Sequence, residues 1–119
     1  MGWLRRLFTR FAQTDEERLA QEIRTWAQSV PGTRRIEACP SREPVRVAGM
    51  VRRLTLRPLD GTTALEAVVF DGTGEVTAAW MGRSHIPGLA LGTAVVLDGV
   101  LGPERGGALK MVNPRFEFA

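Results

Sequence analysis

Arginine side chains are the best candidates for binding chemistry in this sequence. A guanidinium group presents a planar fork of donors that matches a phosphate, and a lysine adds a compact positive charge. Several such residues follow one another through the second part of the chain, with one aromatic and one hydroxyl side chain that could assist them. The candidate phosphate-binding residues are Arg46, Arg52, Arg53, Arg57, Arg83, Arg105, Lys110 and Arg115, and the assisting residues are Phe70 and Thr77.

The charge is unevenly divided along the chain. Residues 1–35 hold seven arginines against four acidic residues, whereas residues 36–119 hold nine basic and nine acidic residues. Strong phosphate binding usually comes with a basic surplus, because counterion release supplies much of the affinity. The neutral second part therefore predicts weak or localised phosphate binding, and its basic residues equally fit an ordinary solvated surface.

Catalysis and metal binding have little support in the sequence. The only histidine, His85, has no cysteine or carboxylate at a spacing typical of a general base or a metal ligand. The only cysteine, Cys39, cannot form an internal disulfide, which suits a reducing compartment. Asp71, Asp98 and Glu104 are interpreted as turn residues. We therefore predict no enzymatic activity, no cofactor and no metal site.

The elements that would position these side chains are strands. Residues 64–70 are apolar and β-branched, residues 71–74 read Asp-Gly-Thr-Gly, and residues 75–81 extend again, which is typical of a hairpin. Five strands joined by glycine-rich turns predict a mainly β domain. The other three strands are predicted at residues 45–56, 94–101 and 108–118, with an interruption at Asn113-Pro114.

The first predicted strand carries two irregularities. Its alternation slips at Arg52-Arg53, which predicts a bulge, and Gly49 marks a point of strong coiling. Both features are usual where one strand serves two sides of a small barrel. A loop is predicted over residues 57–63, and a short approach strand is one option for residues 35–38.

Alternation assigns the side chains of the hairpin to two faces. We place Glu66, Glu75 and Thr77 on the outer face, because burying glutamates would be costly. Phe70 then lies outside as well, whereas Trp80 closes the core. One phenylalanine beside two glutamates is a poor platform for stacked bases, so packing against a helix or a partner is an equal interpretation of this face.

The N-terminal segment predicts two helices. Apolar residues recur at helical spacing along residues 2–12, and three arginines lie off that stripe. Thr14 and Glu17 form a capping box that predicts the start of a second helix, which Pro31-Gly32 ends. The first helix suits an anionic membrane surface or a protein partner, with packing on the domain as the alternative. Its candidate contact residues are Trp3, Leu4, Leu7, Phe8 and Phe11.

Four short segments together resemble those of small bacterial barrels. They are Val-Arg-Val-Ala-Gly-Met-Val (45–51), Phe-Asp-Gly-Thr-Gly-Glu-Val (70–76), Gly-Thr-Ala-Val-Val-Leu-Asp-Gly-Val (92–100) and Met-Val-Asn-Pro-Arg-Phe-Glu (111–117). Their order resembles OB-folds of the anticodon-binding type and the wedge domain of the branched-DNA helicase RecG. It is more similar to a family of small actinobacterial OB-fold nucleic-acid-binding-domain proteins. The resemblance implies a five-stranded Greek-key OB-fold barrel that binds DNA or RNA and has no enzymatic chemistry.

These observations predict an organisation and a function. Residues 1–35 are expected to form an N-terminal amphipathic helical extension, and residues 36–119 an OB-fold domain. The expected function is non-catalytic binding of single-stranded or structured nucleic acid with modest affinity. The alternative is a protein-interaction or membrane-peripheral adaptor that uses the N-terminal helix. No apolar run approaches the roughly 20 residues that span a bilayer, and we expect a cytoplasmic protein.

Overall fold

The structure is a computed structural model that describes residues 2–103 and 109–119, with side chains at residues 15–58, 60–103 and 109–119. It contains one long helix, a single 3-10 turn and six strands in the described residues. In chain order these are α1 (Gly2–Ser29), the 3-10 turn (Ile36–Ala38), β1 (Pro44–Leu59), β2 (Thr62–Phe70), β3 (Glu75–Met81), β4 (Ala94–Pro103), β5 (Leu109–Val112) and β6 (Arg115–Phe118).

Five of the strands form a ring. Their order is β1-β2-β3-β5-β4, and additional pairing between β1 and β4 returns to the first strand. All neighbours are antiparallel except β3 and β5, and β6 pairs with β4 beside β5. The prediction of a mainly β chain with five strands and an N-terminal helix is confirmed. The predicted fifth strand is divided into β5 and β6 at Asn113-Pro114, where Asn113 has a φ of 50°.

Strand β1 belongs to two sides of the ring. Its first half pairs with β4 and its second half with β2. The predicted slip is confirmed, since the register with β2 shifts between Val51 and Arg53. Gly49 lies where β1 passes from one partner strand to the other. A Cβ at this position would lie 2.6 Å from the carbonyl oxygen of Phe70, so only glycine fits there.

The predicted hairpin is confirmed, but the loop expected before it is wrong. β1 continues to Leu59 and β2 begins at Thr62, so the connection is the tight turn Asp60-Gly61 instead of residues 57–63. Both turn residues have positive φ, 39° and 82°, as a two-residue hairpin turn of the I′ type requires. Because the turn is short, both strands are longer than predicted, and Arg57 lies within β1 instead of in a loop.

The core lies inside the ring, where alternate residues of each strand meet. Trp80 is buried there as predicted, and its Nε1 donates a hydrogen bond to the carbonyl oxygen of Pro114 at 3.1 Å. Its ring also contacts Phe116 edge-on. The fully buried aliphatic side chains around it are Ile36, Val47, Val51, Val69, Val76, Val95, Leu97, Leu101 and Met111.

Helix α1 is continuous from Gly2 to Ser29, so the prediction of two helices with a start at Thr14 is wrong. No glycine or proline occurs between residues 3 and 30, and the capping box alone does not interrupt the backbone. Ala27 of this helix packs against Ala48 and Val96 on the outside of β1 and β4. The predicted contact residues between 3 and 11 lie outside the described side chains.

The segment between α1 and β1 forms a 3-10 turn, so the option of an approach strand at residues 35–38 is wrong. Ile36 causes the difference, because its side chain enters the core and its amide donates a hydrogen bond to Asp71 Oδ2 at 2.8 Å. This turn attaches the segment after α1 to the end of the β2–β3 hairpin.

Candidate ligand face of the strand ring

The outward side chains of four neighbouring strands form the face on which a ligand could lie. Cross-strand pairing aligns Arg53, Val68, Thr77 and Lys110 in one row across β1, β2, β3 and β5. The ligand face consists of the outward side chains of this row and of the two parallel rows beside it. Arg52 and Glu75 lie at its border. The two further rows consist of Thr55, Glu66, Ala79 and Val112, and of Arg57, Ala64 and Met81.

Glu66 lies at the centre of the ligand face. It is on the outer side, as predicted, but it is buried there, whereas the prediction expected it to be exposed. Its side chain is only 7% exposed because two cationic side chains approach it. Arg57 Nε is 3.2 Å from one carboxylate oxygen, and Lys110 Nζ is 3.1 Å from the other. The cost of burial that the sequence argument invoked is offset by these opposite charges.

At the border of the face, Arg52 contacts Glu75, which was predicted on the outer face, and the predicted site residue Phe70. Its Nη1 is 3.0 Å from Glu75 Oε1, and its guanidinium lies 4.4 Å from the centre of the Phe70 ring. The bulge after Val51 produces this placement, since it moves Arg52 out of the regular row. Phe70 therefore has an arginine on one side of its ring and adjoins a cleft of about 480 Å³ beside α1.

Other parts of the ligand face are available to a partner. Arg53 is exposed and has no ion-pair partner among the residues that the structure describes. Val112 is 58% exposed and Met81 is 39% exposed, on the same face. The face thus combines a solvated guanidinium, cations already paired with carboxylates, and an apolar strip.

The remaining predicted residues lie elsewhere on the molecule. Arg46 and Arg115 are both placed beside Asp98, on the part of the ring formed by β1, β4 and β6. Arg46 Nε is 2.9 Å from Asp98 Oδ1, and this hydrogen bond raises the pKa of Arg46 above its ordinary value. Asp98 was predicted in a turn, which is wrong because it lies within β4. Arg83 is exposed after β3, and Arg105 lies outside the described residues.

Asp71 is the second buried carboxylate, and it is a turn residue as predicted. Asp71 Oδ1 accepts hydrogen bonds from the amides of Thr73 and Gly74 at 2.8 and 3.0 Å and from Thr73 Oγ1 at 2.6 Å. Asp71 Oδ2 accepts the amide of Ile36 at 2.8 Å. Glu104, the third predicted turn residue, lies outside the described part. Asp71 therefore joins the β2–β3 turn to the 3-10 turn through four hydrogen bonds.

The residues that could perform nucleophilic or metal chemistry are scattered. Cys39 is partly buried, and its Sγ donates a hydrogen bond to the carbonyl oxygen of Arg35. Burial raises the pKa of the Cys39 thiol, the charge of Asp71 raises it further, and Arg34 opposes both. His85 is exposed in the segment after β3. Within the described residues, no three metal-binding side chains come together.

Sequence reasoning identified several members of the ligand face but missed its central contact. Arg53, Arg57, Thr77 and Lys110 were predicted and lie close together on it. The ion pairs of Glu66 were not predicted, because Lys110 lies 44 positions further along the chain and approaches it only through the parallel pairing of β3 and β5. Val112 was missed because its side chain was assigned to no face.

Comparison with known proteins adds no functional assignment: neither protein-family models nor curated proteins match this chain. Among the described residues, no helix is both long enough and apolar enough to cross a bilayer. The function must therefore be argued from the side chains of the ligand face.

Proposed function

We propose that this chain is a non-catalytic OB-fold module that binds single-stranded or structured nucleic acid, DNA or RNA, with modest affinity through the ligand face. The spatial order β4-β1-β2-β3 supports the fold assignment, because three consecutive strands followed by a fourth that returns beside the first is the Greek-key order. In OB-folds, ligands commonly lie across the second and third strands. The sequence resemblance to small actinobacterial OB-fold proteins agrees with this assignment.

The row of Arg53, Val68, Thr77 and Lys110 across four strands carries the proposal. It places cationic groups at both ends of a row whose two middle side chains are uncharged. Guanidinium and ammonium groups suit the phosphates of a nucleic acid backbone, and the exposed side chains of Met81 and Val112 offer contact to bases.

The same face explains why the affinity should be modest. Strong single-strand binders stack several bases on aromatic rings. The aromatic ring beside the border of the face, that of Phe70, already has the guanidinium of Arg52 over it at 4.4 Å. Three of the four cationic side chains of the face, those of Arg52, Arg57 and Lys110, are paired with carboxylates, so a ligand must share or displace those contacts.

Replacement of one solvated arginine tests the proposal. Binding of labelled single-stranded DNA, RNA and a branched duplex is measured by fluorescence anisotropy at low and high salt. We expect Arg53→Gln to weaken single-strand binding roughly fivefold at low salt and to lower the magnitude of the salt slope by about 0.7, because one phosphate contact is lost.

Arg115→Gln is the matched control, since it removes the same charge from an exposed position on β6, away from the ligand face. Equal effects of the two variants would contradict the assignment of the face. No binding by the wild-type protein at low salt would contradict nucleic acid binding itself and favour the adaptor function of the N-terminal helix.

A further inference from the structure

We propose that Glu66 and Glu75 compete with phosphate for the cationic side chains of the ligand face. They limit the face to partners that place roughly two phosphates on it. The favoured partner is a single strand whose bases face the protein. This inference rests on the proposed function and defines the class of nucleic acid that the face accepts.

Glu66 occupies the position that a bound phosphate would take. Its two oxygens lie 3.2 Å from Arg57 Nε and 3.1 Å from Lys110 Nζ, distances at which a phosphate oxygen would itself contact these groups. A phosphate that approaches either cation must displace this carboxylate or lie beside it. Because Glu66 is nearly buried, loss of its partners would leave a poorly solvated negative charge.

Glu75 has the same relation to Arg52 at the border of the face, but in solvent. Both side chains of this pair are about half exposed, with Arg52 Nη1 3.0 Å from Glu75 Oε1. The guanidinium is also held over the ring of Phe70. Arg52 is therefore oriented by the protein and already neutralised before a ligand arrives.

The charge balance of the face sets the number of phosphates it can neutralise. Among the described residues of the face, four cationic side chains (Arg52, Arg53, Arg57 and Lys110) stand against two carboxylates (Glu66 and Glu75), which is an excess of two positive charges. For a single strand, each neutralised phosphate contributes about −0.7 to the slope of log K against log salt, so two give about −1.4.

A duplex and a single strand differ in what they offer to such a face. A duplex presents closely spaced phosphates on its outside, one charge for about every 1.7 Å of axis, and keeps its bases stacked within. A single strand can turn its phosphates away and lay its bases on the strip of Thr77, Met81 and Val112. With few uncompensated charges, the face gains little from the duplex and more from the single strand.

The test is the salt dependence of binding in two isosteric variants, with oligonucleotides of equal length as single strand and duplex. We expect Glu75→Gln and Glu66→Gln each to tighten single-strand binding several-fold at low salt and to steepen the slope from about −1.4 to about −2.1. Duplex binding should gain more than single-strand binding in both variants.

Glu37→Gln is the control, because Glu37 forms an exposed ion pair with Arg35 at 3.2 Å away from the ligand face. It changes the net charge by the same amount and should leave the slope unchanged. Thermal melting confirms that each variant is folded, and the half-exposed position of Glu75 makes its variant safe in this respect.

The outcomes separate this inference from the proposed function. Wild-type binding with slopes that are identical in Glu75→Gln, Glu66→Gln and Glu37→Gln would overturn the competition while nucleic acid binding stands. Absence of binding in every protein would overturn both. Binding that appears only in the Glu66→Gln and Glu75→Gln variants would overturn the binding proposed for the wild-type protein, and this inference with it.

Discussion

Two carboxylates are buried among the described residues, and they are held in opposite ways. Asp71 is 3% exposed and accepts three backbone amides and one hydroxyl from residues of two turns. Glu66 is 6% exposed and contacts the ends of two long side chains. A carboxylate held by backbone donors fixes the chain, because its partners cannot leave without unfolding. A carboxylate held by flexible cations leaves those cations able to exchange partners, as a binding surface requires.

The largest effect should follow from removing the charge of Asp71. In Asp71→Asn, one oxygen becomes an amide nitrogen that faces a backbone donor, so at least one buried hydrogen bond is replaced by repulsion. We expect the free energy of unfolding to fall by about 3 kcal/mol, measured by urea denaturation. Binding by the fraction that remains folded should be unchanged. If Asp71→Asn lowered the free energy of unfolding less than Glu66→Gln does, Glu66 and not Asp71 would be the carboxylate that holds the fold together.

A smaller loss of stability is expected for the same chemical change at the other site. Glu66→Gln keeps the volume of the side chain, and Arg57, whose side chain is 53% exposed, can be solvated when the charge is lost. The charge beside Lys110, whose side chain is only 19% exposed, is lost as well, so we expect the free energy of unfolding to fall by about 1–2 kcal/mol in the same urea experiment. Destabilisation as great as that of Asp71→Asn would show that Glu66 is chiefly structural.

The smallest effect concerns the thiol near Asp71. Burial and the charge of Asp71 raise the pKa of Cys39, so the pH profile of its alkylation should have a higher midpoint in the folded protein than in the unfolded chain. Because the folded pKa is raised, the associated stability is present below the ordinary thiol pKa and is lost as pH rises through the folded value. The urea-unfolded protein is the control. Equal alkylation midpoints in the folded and the unfolded protein would contradict the prediction.

Local sequence signals predicted the parts of the fold that local chemistry determines. The hairpin around Asp71, the bulge at Arg52-Arg53 and the division of the last strand at Asn113-Pro114 were all predicted, because turn residues and alternation act over a few positions. The prediction that a second helix starts at Thr14 was wrong, because it relied on a local signal alone. A capping box favours a helix start but does not break a helix that the flanking residues continue.

Contacts between distant residues could not be predicted in this way. Asp98 was assigned to a turn, but it pairs with Arg46, which lies 52 residues earlier in the chain. The candidate arginines looked like one track in the sequence, yet the two-sided pairing of β1 separates Arg46 from Arg53 and Arg57. Burial of Glu66 depends in the same way on Lys110, from a different strand.

The shared strand β1 also has a consequence for synthesis of the chain. Its second half finds its partner β2 within a few residues, whereas its first half pairs with β4, with Val45 opposite Gly99. At about 5–20 residues per second, roughly 50 further residues take about 3–10 s to be made. During that interval Val45 and Val47, which are buried in the finished ring, belong to a segment whose strand partner β4 has not yet been made. That segment is where a nascent chain of this protein is most exposed to aggregation and most in need of a chaperone.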